Sequence, residues 1–154
     1  MRLAILIVGE QNSGKTSTIK HLINTYGFKT LSVMRAGWNQ IFLNSVFKSL
    51  RLHFYCIPAS PTETGIDLSE RFSSWHNLPE VLVVAEQLHG SKLSSTLSFL
   101  AANGYHVERF DINNVKGVSN WERYDLTTEK MKLDNRANDI IQQIKTFIIS
   151  RRII

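Results

Sequence analysis

An aliphatic run near the N-terminus, followed at once by a glycine-bounded loop, constrains the fold of this chain more than any other feature. The run covers Leu3 to Val8 and contains no polar residue. Strands of parallel sheets have this composition because helices cover both of their faces. After the loop, apolar residues recur at helical spacing from Lys15 to Tyr26, and Gly27 supplies a helix stop. The sequence therefore predicts a strand, a loop and a helix in that order.

The rest of the chain alternates between short apolar runs and longer segments of helical periodicity. Strands are predicted at residues 3–8, 28–34, 51–57, 80–85 and 106–112. Helices are predicted at residues 15–26, 38–50, 67–75 and 92–103, and a long amphipathic helix is predicted to end the chain. The stretches 59–79 and 113–127 are the least regular. About five strands alternating with helices predict one α/β domain over residues 1–154, a three-layer parallel sheet with helices on both faces.

Composition narrows the class of protein. The chain has 154 residues, of which 43% are apolar and 20% charged, as in ordinary globular domains. Its single cysteine, Cys56, excludes a disulfide framework within one chain. No stretch approaches the roughly 20 apolar residues that span a bilayer, so we expect a cytoplasmic protein that does not enter a membrane. The formal charge of +5 favours polyanionic ligands such as nucleotides and permits nucleic acid.

The loop itself carries the clearest chemical signal. Its eight residues are Gly9, Glu10, Gln11, Asn12, Ser13, Gly14, Lys15 and Thr16, which satisfy the pattern G-x-x-x-x-G-K-[ST]. Glycine allows the strand exit and close backbone approach, while the loop amides and the helix N-terminus can donate to phosphate oxygens. Lys15 is a mobile charge suited to β- and γ-phosphates, and the Thr16 hydroxyl is the expected protein ligand of Mg²⁺.

These residues resemble the Walker A motif of the P-loop NTPase superfamily. The close match covers about residues 3–26, which is the first strand, the loop and the first helix. The resemblance implies a P-loop NTPase fold that binds ATP, or another nucleoside triphosphate, with Mg²⁺. It also implies nucleotide-binding residues from Gly9 to Ser17, with Lys15 acting in catalysis.

Sites of this kind normally need an acid at the end of a neighbouring strand. Glu86 ends the run from Val81 to Ala85 and is the best candidate for holding Mg²⁺ or polarising a nucleophile. Asp111, after Phe110, is the alternative.

Arginines outside the strands are candidates for neutralising phosphate charge. Arg123 lies between the fifth predicted strand and the last helix, where small kinases of this fold carry a lid, and is a candidate catalytic residue. Arg35 follows the second strand and Arg71 lies in the irregular stretch, so both are candidates for substrate binding. Arg136 is on the last helix. For each one taken singly, surface solvation is the competing explanation.

Three functions remain open. Small size and the placement of the arginines favour a phosphotransferase that acts on a nucleotide or small metabolite. The alternative is an ATP-binding or ATPase module that works with a nucleic-acid or protein partner. A GTPase-type switch would need N-K-x-D after the fifth strand and D-x-x-G near the γ-phosphate, and neither motif is present in the sequence.

Overall fold

The computed structural model describes residues 2–34, 37–43, 53–113 and 121–151. In these ranges the strands are Arg2–Gly9 (β1), Gly27–Met34 (β2), Gly37–Leu43 (β3), Phe54–Ile57 (β4), Val81–Gln87 (β5), Tyr105–Asn113 (β6) and Trp121–Glu122 (β7). The helices are Lys15–Tyr26 (α1), Pro61–Thr64 (α2), Leu68–Arg71 (α3), Leu93–Ala102 (α4) and Glu129–Arg151 (α5).

The strands form one sheet in the order β2-β3-β4-β5-β1-β6-β7. Five of them run parallel to one another, and β1 is the middle strand of the five: β4, β5, β1, β6 and β7. The two remaining strands lie beside β4: β3 pairs antiparallel with β4, and β2 is the outermost strand and pairs antiparallel with β3. The carboxyl ends of the parallel strands therefore lie along one edge of the sheet, where the loop after β1 also lies.

Two apolar cores cover the two faces of the sheet. Alternate residues of β1 point to opposite faces, as the pleat of a strand requires. Leu3, Ile5 and Ile7 pack with α1 and α5, whereas Ala4, Leu6 and Val8 pack with α3 and α4. All six side chains are almost fully buried. This double coverage explains why the β1 sequence is apolar at every position.

Helices α1 and α5 lie side by side on the first face. Their apolar residues share one core with the sheet. At their outer edge, His21 Nε2 and Asp134 Oδ1 are 2.7 Å apart. Two hydrogen bonds keep the pKa of the Asp134 carboxyl below its ordinary value. The bond from Lys130 has the larger effect, and the bond from His21 the smaller one.

Much of the predicted organisation is confirmed. The α/β class, the parallel strands and the helices on both faces are present, and α1 has the predicted bounds. The strand predicted at 51–57 is observed over Phe54–Ile57, and residues 51 and 52 lie outside the described part. The helix predicted at 67–75 is shorter, because the helical bonds end at Phe72. Neither α2 nor β7 was predicted from the sequence.

One predicted helix is wrong. Residues 37–43 form β3, and the remainder of the predicted helix at 38–50 lies outside the described residues. The prediction used apolar residues spread over 38–50. Within residues 37–43 these are Trp38, Ile41, Phe42 and Leu43, which are too few to distinguish a strand from a helix by their period. The strand at 28–34 is confirmed, but it belongs to this antiparallel hairpin and not to the parallel part of the sheet.

Within the described ranges, none of the helices has the length and apolar character that crossing a bilayer would require.

The packing of α5 makes a testable prediction about stability. Ile144 is fully buried in the core between α5 and the sheet, whereas Ile149 on the same helix is 73% exposed. Ile144→Ala should lower the free energy of unfolding by about 2–5 kcal/mol, because it removes buried methyl groups and leaves a cavity. Ile149→Ala is the matched control and should change it by less than about 0.5 kcal/mol. Chemical denaturation measures both, and equal effects would contradict the packing described.

Candidate functional site

The loop predicted to bind phosphate leaves β1 at the centre of the parallel strands. Val8 pairs with Glu86 and Gly9 pairs with Gln87 on β5. The Leu88 amide donates to the Gly9 carbonyl at 3.0 Å, which extends the pairing beyond the strands. In open α/β sheets, ligands bind in the crevice at the carboxyl ends of the strands. The loop lies at this edge.

Two residues of the loop have positive φ angles, 61° at Asn12 and 93° at Gly14. The Ser13 amide closes a turn by donating to the Glu10 carbonyl at 3.2 Å. Gly14 is required by its positive φ angle and by the ring beside it, whereas Gly9 is closely packed. A Cβ atom at Gly9 would collide with the Ser13 hydroxyl, and one at Gly14 would lie 2.6 Å from a ring carbon of Tyr124. The two glycines of the motif therefore have structural reasons here that do not depend on any ligand.

A cavity of about 660 Å³ opens beside the loop. It is lined by residues 11–17, together with Glu63, Gln87 and Tyr124. Of the residues predicted to bind nucleotide, those from Gln11 to Ser17 thus line one cavity, while Gly9 and Glu10 are not part of its lining. Its volume is within the range of about 300–1,000 Å³ that is usual for small-molecule sites.

Lys15 is a cation held close to the loop backbone. Its side chain is almost fully buried, and Nζ donates to the Glu10 carbonyl at 2.7 Å. Burial lowers the pKa of Lys15, while the nearby charges of Glu63 and Glu86 act in the opposite direction. An anion in the cavity would supply a counter-charge for this ammonium group.

Thr16 and the first turn of α1 add polar groups to the same cavity. The Thr16 hydroxyl donates to the Pro58 carbonyl at 3.0 Å, so its proton is used and its oxygen lone pairs remain as acceptors. The first helical bond joins the Thr18 amide to the Gly14 carbonyl at 2.9 Å. The amides before Thr18 have no partner within the helix and lie at the positive end of its dipole.

Glu86, the acid predicted from the sequence, is fully buried. One carboxylate oxygen accepts from the Gln87 amide at 2.9 Å, and the other accepts from the Thr96 hydroxyl at 3.1 Å. Glu86 is near enough to act on the charge of Lys15, but it does not line the cavity. Its predicted role in metal binding stays a prediction.

Glu63 is the acid that lines the cavity, and it was not predicted. It lies on α2, where the Ser60 hydroxyl caps the helix by accepting from the Glu63 amide at 3.1 Å. Gly65 ends this turn in the left-handed conformation, and the Thr62 hydroxyl accepts from the Lys92 amide at 3.1 Å. The side-chain Nε2 of Gln87 lies 3.5 Å from the Glu63 carboxylate. The spacing of Ser60 and Glu63 is that of a capping box, a signal that could have located this helical turn.

Two consecutive residues after β7 contact the loop from the other side. The Arg123 guanidinium donates to the Asn12 carbonyl at 3.0 Å and lies 3.4 Å from the Gln11 carbonyl. One of its nitrogens is 3.9 Å from the Glu10 carboxylate. Tyr124 lies against Gly14 and forms part of the cavity wall. Arg123 thus lies beside the loop, where its guanidinium contacts backbone carbonyls, and its predicted catalytic role stays a prediction.

Arg136 is not a surface residue, although solvation was the competing explanation for it. Its side chain is 1% exposed. It donates to the Thr18 hydroxyl at 3.1 Å and to the Glu122 carbonyl at 2.6 Å. Its guanidinium carbon lies 4.9 Å from the ring centre of Tyr124 and 5.6 Å from that of Trp121. Burial lowers the pKa of Arg136 to about 10, so the group stays charged at neutral pH.

Two other predicted residues, Arg71 and Asp111, do not line the cavity. Arg35 lies outside the described residues. Arg71 lies on α3 and is absent from the cavity lining. Asp111 forms an ion pair with Arg109 at 2.8 Å on β6. Within the described part of the chain, His, Cys, Asp and Glu side chains do not form a group of three that could hold a metal.

Comparisons with known proteins leave the site to be interpreted from its geometry: no protein-family model, curated protein or solved structure matches this chain.

Proposed function

We propose that the chain is a Mg²⁺-dependent P-loop NTPase that binds ATP, or another nucleoside triphosphate, in the cavity lined by residues 11–17. We further propose that it transfers the γ-phosphate to a small acceptor. The observation that carries the proposal is the cavity itself. Six consecutive residues of the phosphate-binding pattern, including Lys15, line it together with Ser17, an acid and an aromatic ring.

The polar groups on the loop side suit phosphate. Amides at a helix N-terminus and a lysine ammonium group are the donors that anions use in proteins. Lys15 is partly desolvated, and its present hydrogen bond goes to the neutral Glu10 carbonyl. A phosphate oxygen is a stronger acceptor for this group, because both partners would then be charged.

The residues present fit Mg²⁺ bound together with phosphate. Magnesium usually keeps several waters and uses one or two protein oxygens beside those of the phosphates. The Thr16 oxygen has free lone pairs, and the carboxylate of Glu63 lines the same cavity. We therefore assign Thr16 as the direct ligand and Glu63 as the acid that binds through water, with Glu86 as the alternative acid. The ion would neutralise charge on the β- and γ-phosphates.

Glu63 also supports transfer to a hydroxyl group. In the proposed step, an acceptor hydroxyl oxygen forms a bond to the γ-phosphorus, and the bond from that phosphorus to the β,γ-bridging oxygen breaks. The hydroxyl proton passes to the Glu63 carboxylate, and the nucleoside diphosphate leaves. Lys15 remains beside the phosphates and stabilises the charge that develops on them.

The acceptor distinguishes this proposal from the alternative of an ATPase module. Labelled ATP is incubated with nucleotides, small metabolites, single-stranded nucleic acid and protein. Transfer of label to a small acceptor supports the phosphotransferase. Release of inorganic phosphate that depends on a polymer supports the ATPase module instead.

Lys15→Ala tests the proposed phosphate contact. It should abolish turnover and weaken ATP binding by about 10- to 150-fold, the usual worth of a hydrogen bond to a charged group. Lys20→Ala is the control, because Lys20 is an exposed lysine on the same helix. Isothermal titration measures both affinities. A folded Lys15→Ala protein that binds ATP as tightly as the wild type would refute the proposed function.

Glu63→Gln and Glu86→Gln distinguish the two acids. Glu63→Gln should lower turnover by about 100- to 10,000-fold, as expected for loss of a general base, and change ATP affinity only a few-fold. Glu86→Gln should lower turnover less, because its carboxylate is occupied by Gln87 and Thr96. Glu70→Gln, on α3 and outside the cavity lining, is the control. A larger loss at Glu86 would reverse the assignment, and an unchanged rate there would leave Glu86 a structural acid.

Tyr124 tests whether the ligand carries a base. Tyr124 is the one aromatic residue among the described residues that line the cavity. A base that stacks on an aromatic ring contributes about 1–3 kcal/mol by alanine substitution. Because the ring also packs against Gly14, Tyr124→Ala should weaken the binding of both ligands, but it should weaken ATP binding by about 5- to 150-fold more than inorganic triphosphate binding. Tyr124→Phe keeps the ring and should behave as wild type. Equal losses for both ligands would argue against a base at this wall.

A further inference from the structure

Resting on the proposed function, we infer that Arg136 is a positioning residue for the phosphate-binding loop. It lies on α5, a helix that supplies no residue to the cavity lining. It nevertheless reaches Gly14, the glycine before Lys15, along two separate paths.

The first path is a chain of hydrogen bonds through Thr18. Arg136 Nη1 donates to the Thr18 hydroxyl oxygen at 3.1 Å, and that hydroxyl donates to the Gly14 carbonyl at 2.6 Å. The direction is fixed, because a guanidinium group can only donate and a carbonyl can only accept. Arg136 therefore keeps the Thr18 proton directed at Gly14. The Thr18 side chain is fully buried, so water does not replace either bond.

The second path is a stack of side chains through Tyr124. The Arg136 guanidinium carbon lies 4.9 Å from the Tyr124 ring centre, and the Tyr124 ring lies against Gly14. The same guanidinium carbon lies 5.6 Å from the centre of the Trp121 ring, which in turn stacks on Phe110 with ring centres 4.5 Å apart. The bond from Nη2 to the Glu122 carbonyl, at 2.6 Å, holds the intervening backbone. One guanidinium group thus supports Gly14 at its carbonyl and at the ring packed on its Cα.

The charge of Arg136 supports the same interpretation. In the described part of the chain, no carboxylate lies within ion-pair distance of its guanidinium group, and its Nε is buried without a hydrogen-bond partner. A buried cation without a counter-ion opposes folding. A residue that only filled the core would do so better as an apolar side chain of similar volume. A phosphate group bound at the loop would add negative charge on the side of Gly14 that Arg136 supports.

A double-mutant cycle on ligand affinity tests this role. Arg136→Met removes the donors and keeps the length, and Thr18→Val removes the hydroxyl and keeps the shape. Each should weaken binding of ATP with Mg²⁺, and of inorganic triphosphate, by about 10-fold or more. The double variant should be no weaker than the weaker single variant, because both changes break one chain of bonds. Losses that multiply would overturn the inference.

Arg2→Met is the matched control. Arg2 also donates to a backbone carbonyl, that of Asn103 at 2.9 Å, and lies 5.9 Å from a tyrosine ring, but at the amino end of β1. It should lower stability without changing ligand affinity. An equal loss of affinity in Arg2→Met would mean that general destabilisation is responsible, and the inference would be wrong.

Arg136→Lys and Thr18→Val keep the test decisive if Arg136→Met does not fold. Lysine keeps the charge, but its single ammonium group cannot reproduce the two guanidinium bonds to Thr18 and to the Glu122 carbonyl. The affinity of Arg136→Lys for ATP should therefore lie between that of wild type and that of Thr18→Val. Wild-type affinity in folded Thr18→Val would overturn the inference and leave the proposed function standing. A wild-type protein that binds neither ATP nor inorganic triphosphate would overturn both.

Discussion

The pairing of β1 with β5 on one side and β6 on the other is the constraint on which the site depends. Parallel strands end together, so the loop after β1, the acid at the end of β5 and the segment after β6 are brought to one edge. Helices on the two sides of the sheet bury both faces of β1. The cavity forms there because α2 approaches the loop from the β5 side and Tyr124 approaches it from the β6 side.

The fold was predictable where the sequence had a clear period or a clear stop. The prediction of β1 was correct because six apolar residues follow one another there. The prediction of α1 was correct because its apolar residues have helical spacing and Gly27 marks its end. Prediction failed at residues 37–43, where four apolar residues are too few to distinguish a strand from a helix and only pairing with β2 and β4 decides. The two residues of β7 were too few to produce any period.

The site was predictable only in its contiguous part. The pattern from Gly9 to Thr16 identified the loop, and residues 11–17 line the cavity. Glu63, Tyr124 and Arg136 are separated from the loop by about 50 to 120 positions, and their relation to it is created by folding. Arg136 shows the difficulty best. From its sequence it resembles any helical arginine, yet it is buried against Thr18. Glu86 ended the expected strand, but its side chain turns to Thr96 and not to the cavity.

The hydrogen bond from Thr16 to Pro58 has a mechanical consequence. Pro58 follows β4 directly, and β4 carries the antiparallel hairpin of β2 and β3 at the edge of the sheet. The first turn of α1 is therefore tied to a strand that does not pair with β1, across the full width of β5. A hydroxyl that rotates to another partner would break this link, although the pairing of Ile57 with Val84 would still hold the end of β4. The orientation of the Thr16 hydroxyl thus links the cavity, which Thr16 lines, to β4 and to the hairpin paired with it.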